Sequence, residues 1–260
     1  MTATPISACL ISFDEADRLA ECLASLAFCD EIVVVDSHSK DATRAIAAAH
    51  GARVIERDWP GFGPQKRFAV EAARNDWVLC LDCDERLSPE LADEIRGIQL
   101  EARAERGYTM PRTTAYLGRW IRHGGWYPDR QLRLFDRRHG NWNEAPVHER
   151  VEVTGPVGEL AGDLLHVAYR DYADHQRTIE RYTTLMAAGL HARGKRASAL
   201  DLITHPVARF VRFYLLKAGF RDGWRGLLIA LLAAQYAFQK YAKLLVLERE
   251  TPLESDERTR

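Results

Sequence analysis

The chain has 260 residues, 47% of them hydrophobic and 28% charged, enough to bury a substantial core in one large domain or two small ones. Thirty-six Lys and Arg against 37 Asp and Glu leave a formal charge of −1, which excludes a charge-driven disordered chain and offers no basic surplus for nucleic acid. That balance hides an asymmetry, because Ile203 to Leu247 carries seven basic residues and one acid, a local +6 that leaves −7 for the remainder.

In chain order, Ile6 to Ser12 is a short apolar run, followed by Leu19, Cys22, Leu23 and Leu26 at the spacing of one helix face. Glu31-Ile-Val-Val-Val-Asp36 reads as a strand covered on both faces, since four consecutive apolar residues, three of them valine, leave no side for water. A helix over Thr43 to Ala49, a strand over Arg53 to Glu56, a helix over Gln65 to Ala73 and a strand over Trp77 to Leu81 continue the alternation. Strands separated by helices of this length predict parallel pairing through right-handed crossovers, an α/β nucleotide-binding half. Gly107 to about Arg170 changes to short strands and loops, with Gln131 to Asp136 and Arg150 to Thr154 alternating cleanly. Helices are predicted at 171–191, 206–220 and 224–247, followed by a charged tail.

Five cysteines (Cys9, Cys22, Cys29, Cys80, Cys83) are an odd number, and the Met-Thr-Ala-Thr-Pro opening has neither a basic nor an apolar leader region. Neither a disulfide framework nor a signal peptide fits, so a reducing cytoplasmic compartment is expected. Cys80-Leu-Asp-Cys83 matches Cys-x-x-Cys but has no second pair at zinc spacing, and is expected to be a pair of buried strand cysteines.

In open sheets ligands sit beyond the carboxyl ends of the strands, and there this chain is acidic: Asp14-Glu15, Asp36 to Asp41, and Asp82-Cys-Asp-Glu85. Asp82 and Asp84, two apart in an extended segment, point the same way, and adjacent carboxylates repel unless a divalent cation takes them up. The competing expectation is a solvated turn before a helix, with Ser88 as N-cap, Pro89 at its first position and Glu90 in its first turn.

Together, Ile6 to Glu15, Val33 to Thr43, Gly63-Pro-Gln-Lys-Arg-Phe-Ala69 and Trp77 to Glu85 resemble family 2 glycosyltransferases of the GT-A fold. The resemblance continues through Gly125 to Phe135, Ala145-Pro-Val-His-Glu149 and the last helices, covering nearly the whole chain. The subgroup it is most similar to is the bacterial lipopolysaccharide-core β-1,4-glucosyltransferases. It implies a GT-A catalytic domain, Rossmann-like with a mixed sheet, over 1–170, with a nucleotide-binding half (1–105) and an acceptor half (106–170). A helical extension over 171–247 and the tail over 248–260 would follow.

By the same resemblance Asp14 or Glu15, with Asp36, lines the uridine pocket, Asp36 meeting base or ribose, while Lys66 or Arg67 sits near the diphosphate and Asp82 near the ribose and sugar. Asp84 holds Mg2+ or Mn2+, with His166 a metal or phosphate ligand or else a core imidazole. The family usually carries Asn-Glu at Asp14-Glu15 and Asp-Asp-Gly-Ser-x-Asp at Asp36 to Asp41, so the nucleobase is left open. Glu149 matches the position of the catalytic base, with Asp129 as its rival, and single displacement would invert the anomeric carbon. Trp126, in a His123-Gly-Gly loop read as flexible, could stack on a sugar, while Arg130 and Arg133 could meet an acidic acceptor. The expected partners are a nucleotide-sugar donor, UDP-glucose first, and a lipid-linked glycan acceptor, an inner core before a polyprenyl-linked glycan or a protein. A catalytically silent sugar-nucleotide-binding adaptor is the rival of another class.

The +6 segment holds eight aromatics between Phe210 and Tyr241. Gln235, Gln239, Lys240 and Lys243 interrupt its apolar run before a bilayer could be spanned. It is expected to lie on the inner face of the cytoplasmic membrane as a basic amphipathic hairpin, a core-packed helical cap or a dimer interface being the alternative.

Overall fold

A computed structural model describes residues 4–143 and 149–249, so residues 145–148 of the Ala145-to-Glu149 motif and residues 250–260 of the tail lie outside the described residues. Contacts divide the chain into two compact units, 1–115 with 127–168, and 116–126 with 169–260. The 116–126 segment, which the sequence assigns to the acceptor half, therefore groups with the helices.

The first unit runs β1 (Ile6–Ser12), α1 (Leu19–Ser25), β2 (Glu31–Asp36), α2 (Thr43–Ala49), β3 (Arg53–Glu56), α3 (Phe62–Ala72), β4 (Trp77–Cys80), β5 (Glu85–Leu87), α4 (Pro89–Gly97) and β6 (Gly107–Tyr116). The excursion to 116–126 holds β7 (Arg119–Trp120). The first unit resumes with β8 (Asp129–Asp136), β9 (Gly140–Trp142), β10 (Val151–Val153), β11 (Val157–Glu159) and β12 (Leu164–His166).

The main sheet has the order β3-β2-β1-β4-β8-β6-β12-β5, with β11 also beside β6. Its first four strands are parallel, as their helical crossovers require, and β8 enters antiparallel to both β4 and β6. This is the mixed sheet of a GT-A fold. Val33 and Val35 pack with Val70, Phe135 and Trp142 on one face, while Val34 packs with Leu10, Leu19 and Leu79 on the other. That is the two-residue period of a strand with both faces covered. Cys80 and Cys83 fall in these two different clusters, so the Cys-x-x-Cys pair cannot close on one metal. The predicted cap at α4 is present: the Leu91 N–H donates to Ser88 Oγ at 3.2 Å.

The second unit is built from α5 (Tyr172–Ala192), α6 (Asp201–Val211) and α7 (Trp224–Arg249). Its core joins Tyr116, Ile121, Ile179, Ile229 and Leu232. The second predicted helix is shifted: it starts at Asp201, with Pro206 inside, and ends at Val211 in a π-turn over Arg212–Leu216. A proline reads as a helix start because it has no N–H to lose at the first position. Here the start comes earlier, at Asp201, whose Oδ2 accepts from the Ser198 N–H and hydroxyl just before the helix, both at 2.8 Å.

The His123-Gly-Gly loop, expected to be flexible, is tied down instead. Buried Asp222 accepts from the His123 N–H at 2.8 Å and the Arg122 N–H at 3.3 Å, and the Gly124 N–H donates to the Lys217 carbonyl at 2.9 Å. No helix among the described residues is long and apolar enough to cross a membrane.

Candidate active site

The site lies where β1, β2 and β4 end. β1 and β2 pair with Ser12 opposite Asp36, and this register puts the Ser12 hydroxyl 2.8 Å from the Asp36 carboxylate, which also accepts from the Ser39 N–H at 2.8 Å. Asp36 is fully buried, and the hydrogen bonds its side chain accepts organise the loop that follows it. Asp14, in the left-handed region at φ 52°, accepts from the Lys40 N–H at 2.7 Å and donates its own N–H to Ser39 Oγ at 2.9 Å. The Glu15 N–H donates to Thr43 Oγ1 at 2.8 Å. The residues expected at a nucleoside pocket thus fasten two strand-end loops to each other.

Beyond β4 the side chains alternate in charge. Glu149 Oε1 lies 3.1 Å from Lys66 Nζ, and Lys66 Nζ lies 2.8 Å from Asp82 Oδ1. Asp82 Oδ2 and Glu85 Oε1 each lie 2.8 Å from Arg133 Nη2. Glu85 Oε1 also accepts from Arg112 Nη1 at 3.0 Å, and Arg112 Nε donates to Asp129 Oδ2 at 3.0 Å. Four acids and three bases therefore form one chain with Glu149 at one end and Asp129 at the other. The Trp142 indole covers it, its ring centre 4.5 Å from Lys66 Nζ and 5.5 Å from the Arg133 guanidinium carbon.

Burial alone would raise the Asp82 pKa, but the Lys66 and Arg133 charges prevail and hold its carboxyl well below the usual carboxylate range. Burial likewise works against charged Lys66, and the Asp82 carboxylate, with Glu149, reverses this and leaves the ammonium pKa raised. Asp82 and Lys66 therefore hold each other in their charged forms. Removing one partner would strand a buried charge, which costs more than the pair itself gains.

Asp84 points elsewhere. Antiparallel pairing of β12 with β5 sets His166 against Glu85, and the Val167 N–H donates to the Asp84 carbonyl at 2.9 Å, which brings His166 Nε2 within 3.4 Å of Asp84 Oδ2. Parallel pairing of β12 with β6 sets His166 beside Thr114, whose Oγ1 lies 3.2 Å from Nδ1. The hydroxyl engages Nδ1 and leaves Nε2 facing the carboxylate, the arrangement that orients a ligating imidazole. Arg18 Nη1 approaches the same carboxylate oxygen at 3.5 Å.

Among the described residues no three His, Cys, Asp or Glu side chains gather into a metal-holding set. Asp84 and His166 form a pair, and a pair fits a divalent cation whose remaining shell comes from diphosphate oxygens.

The other expected residues are dispersed. Arg67 turns from the cluster, its Nε donating to Glu71 at 2.9 Å. Arg130 pairs with Glu159 at 3.1 Å on the surface, whereas Arg133, expected beside it, is buried in the charged chain. Trp126 belongs to the helical unit, its ring 5.5 Å from Tyr116 in an edge-on contact. The sequence reading missed Arg18, Glu85, Arg112 and Trp142 as site residues. The signal available was the Asp82-to-Glu85 acid run, too rich in carboxylates to be buried without arginines from another strand.

Residues 7–102 match the family described as glycosyl transferase family 2. Over 249 residues the chain is 31% identical to the lipopolysaccharide core biosynthesis glycosyltransferase LpsC of Rhizobium meliloti (strain 1021), with 92% of each chain covered. An uncharacterized glycosyltransferase of Rickettsia felis (strain ATCC VR-1525 / URRWXCal2) is 31% identical over 269 residues, covering 96% of this chain and 91% of that one. Among solved structures, S. aureus TarS is 14% identical with a TM-score of 0.47 over 94% of this chain and 90% of the other. Identity of this degree along nearly the full length of a relative, with the family match over the strand-end loops, means that the chain belongs to glycosyl transferase family 2.

Proposed function

We propose that this transferase moves glucose from UDP-glucose to the inner core of lipopolysaccharide, with inversion at the anomeric carbon, on the inner face of the cytoplasmic membrane. The observation that carries the reading is the separation of two carboxylate sets at one strand end. Asp84 faces an imidazole, while Asp82 is joined to Glu149 through a single ammonium. Asp84 and His166 hold Mg2+ or Mn2+, which when bound neutralises the charge developing on the leaving diphosphate. Asp14, Glu15 and Asp36 shape the nucleoside pocket through the loops they fasten together, and Asp82 lies by the sugar.

Glu149 takes the proton of the acceptor hydroxyl as that oxygen attacks the anomeric carbon. Asp129 suits this role less, because Oδ2 is held by Arg112 and Oδ1 by the Gln131 amide at 3.0 Å. The likeness to LpsC supports the acceptor class, and the exposed apolar and basic hairpin of the helical unit supports the location.

The test is a screen of labelled nucleotide sugars against truncated core acceptors, a polyprenyl-linked glycan and a protein extract. Transfer of glucose from UDP-glucose to the core acceptor is expected, abolished by chelation and restored by Mn2+ or Mg2+. Asp84→Ala should lose the metal-dependent activity and Glu149→Gln should lose about a hundredfold or more in kcat. Transfer only to another acceptor moves the substrate. Absence of transfer or donor hydrolysis with every nucleotide sugar favours the silent adaptor.

A further inference from the structure

We infer that Lys66 is a positioning residue that holds the Glu149 carboxylate for proton abstraction, rather than a ligand of the donor diphosphate. The inference rests on Glu149 being the base. An ammonium has three N–H donors, and those of Lys66 are directed inward: Asp82 Oδ1 lies at 2.8 Å, Glu149 Oε1 at 3.1 Å and the face of Trp142 at 4.5 Å. The residue is 9% exposed, leaving little of it for a phosphate to approach. α3 sets it there, because Gln65 and Lys66 both lie on the buried side of that helix and Gln65 Nε2 donates to Ser37 Oγ at 3.1 Å.

The two carboxylates depend on Lys66 unequally. Asp82 keeps a second cation, Arg133, at 2.8 Å on its other oxygen, and its own N–H donates to Glu85 Oε2 at 3.1 Å. Glu149 has Lys66 as its one partner among the described residues. Removing the ammonium therefore leaves Asp82 in place and releases Glu149. Lys66 ties the base to Asp82, so the carboxylate that takes the proton is referenced to the residue beside the sugar. A displacement of about 1 Å in such a group is enough to cost a hundredfold in rate.

The experiment is a double-mutant cycle on the full chain with Lys66→Met and Glu149→Gln. It is read as kcat and as KM for donor and acceptor, with the UDP dissociation constant measured by calorimetry in the presence of Mn2+. Lys66→Met is expected to lower kcat about a hundredfold while the UDP dissociation constant stays within about threefold, and in the Glu149→Gln background it should cost less than about threefold more. Lys66→Arg, which keeps the charge in a planar group, should recover part of kcat, and it serves as the reading if Lys66→Met does not fold.

UDP affinity falling by the same factor as kcat/KM, with kcat preserved, would make Lys66 a diphosphate ligand and overturn the inference. So would full multiplicativity of the two substitutions, which leaves Glu149 as the base. Full activity of Glu149→Gln overturns both the base assignment and the role of Lys66 built on it.

Discussion

Asp82 illustrates how a strand end can hold several charges by pairing each with its opposite. Its two oxygens face two cations from different elements, Lys66 of α3 and Arg133 of β8, and each cation reaches on to a further acid. The two aspartates two apart were legible in the sequence because extended geometry alone sets their spacing. Their division of labour was not, because it depends on which strands arrive beside them. His166 reaches Asp84 only through the pairing of β12 with β5, and Arg133 reaches Asp82 only because β8 runs antiparallel to β4.

His175 in the helical unit gives a separate prediction at this scale. It is buried, Nδ1 lies 3.0 Å from Tyr116 Oη, and its ring stacks 4.1 Å from Tyr169 with Trp126 6.1 Å away. Burial pushes its pKa down from 6.5 to about 4, against a smaller upward pull from Asp174. Between those values the unfolded chain binds a proton that the folded one does not, so stability is present above pH 6.5 and is lost as pH falls toward 4. Thermal unfolding followed by circular dichroism should show Tm falling from pH 6.5 to 5, a window above most carboxylate titration. His175→Gln should flatten that slope, and an unchanged slope would remove His175 as its source.

At the scale of elements, long periodic segments were legible and short ones were not. Four consecutive apolar residues marked β2, and the alternating Gln131 to Asp136 run marked most of β8. β5 and β12 are three residues each, too short for any period to appear, yet they bring Asp84 and His166 together. Pro206 misled for a related reason: it lies inside α6, in a helix already begun at Asp201, whose carboxylate is tied back to Ser198 by contacts that no local apolar period announces.

The crossing of the 3-10 turn at Gly219–Asp222 with the start of α7 was equally silent in the sequence. A Cβ added at Gly226 would lie 1.8 Å from the Gly219 carbonyl oxygen, a backbone atom that cannot swing aside. Gly226→Ala must separate the turn from α7, and with it Asp222, which accepts from the backbone N–H groups of Arg122 and His123. The expected cost is about 3 kcal/mol of stability, read as a lowered denaturation midpoint in urea at unchanged m-value. Gly189→Ala, whose added Cβ meets nothing within 4 Å on helix α5, should leave the midpoint the same or raise it. An unaffected Gly226→Ala midpoint would show that the crossing yields without cost.

At the scale of the molecule, the near-zero net charge is a sum over segments of opposite sign, the stretch from Ile203 to Leu247 carrying +6 and the remainder −7. Neither α6 nor the π-turn after it has a buried residue, although both are rich in apolar side chains. Ile203, Val207, Leu215, Leu216, Phe220 and Trp224 are all more than half exposed, Leu216 at 77%. Water is a poor partner for so much clustered apolar surface. Arg212, Lys217 and Arg221 are exposed within the same hairpin, so the partner should be apolar in depth and anionic at its face, as a bilayer with acidic headgroups is. Each basic residue near such a surface contributes about 1 kcal/mol, a term that fades as salt shortens the Debye length to roughly 3 Å at 1 M. The protein should float with phosphatidylglycerol vesicles at low salt, less at high salt, and little with phosphatidylcholine alone. Leu216→Ser with Phe220→Ser should reduce partitioning by about tenfold or more at either salt, since burying each side chain is worth about 1.5–3 kcal/mol. Transfer to a water-soluble acceptor should persist in that variant, which separates docking from chemistry. Failure of the wild type to float with anionic vesicles at any salt would leave the hairpin as a surface between protein chains, to be read from the oligomeric state in solution.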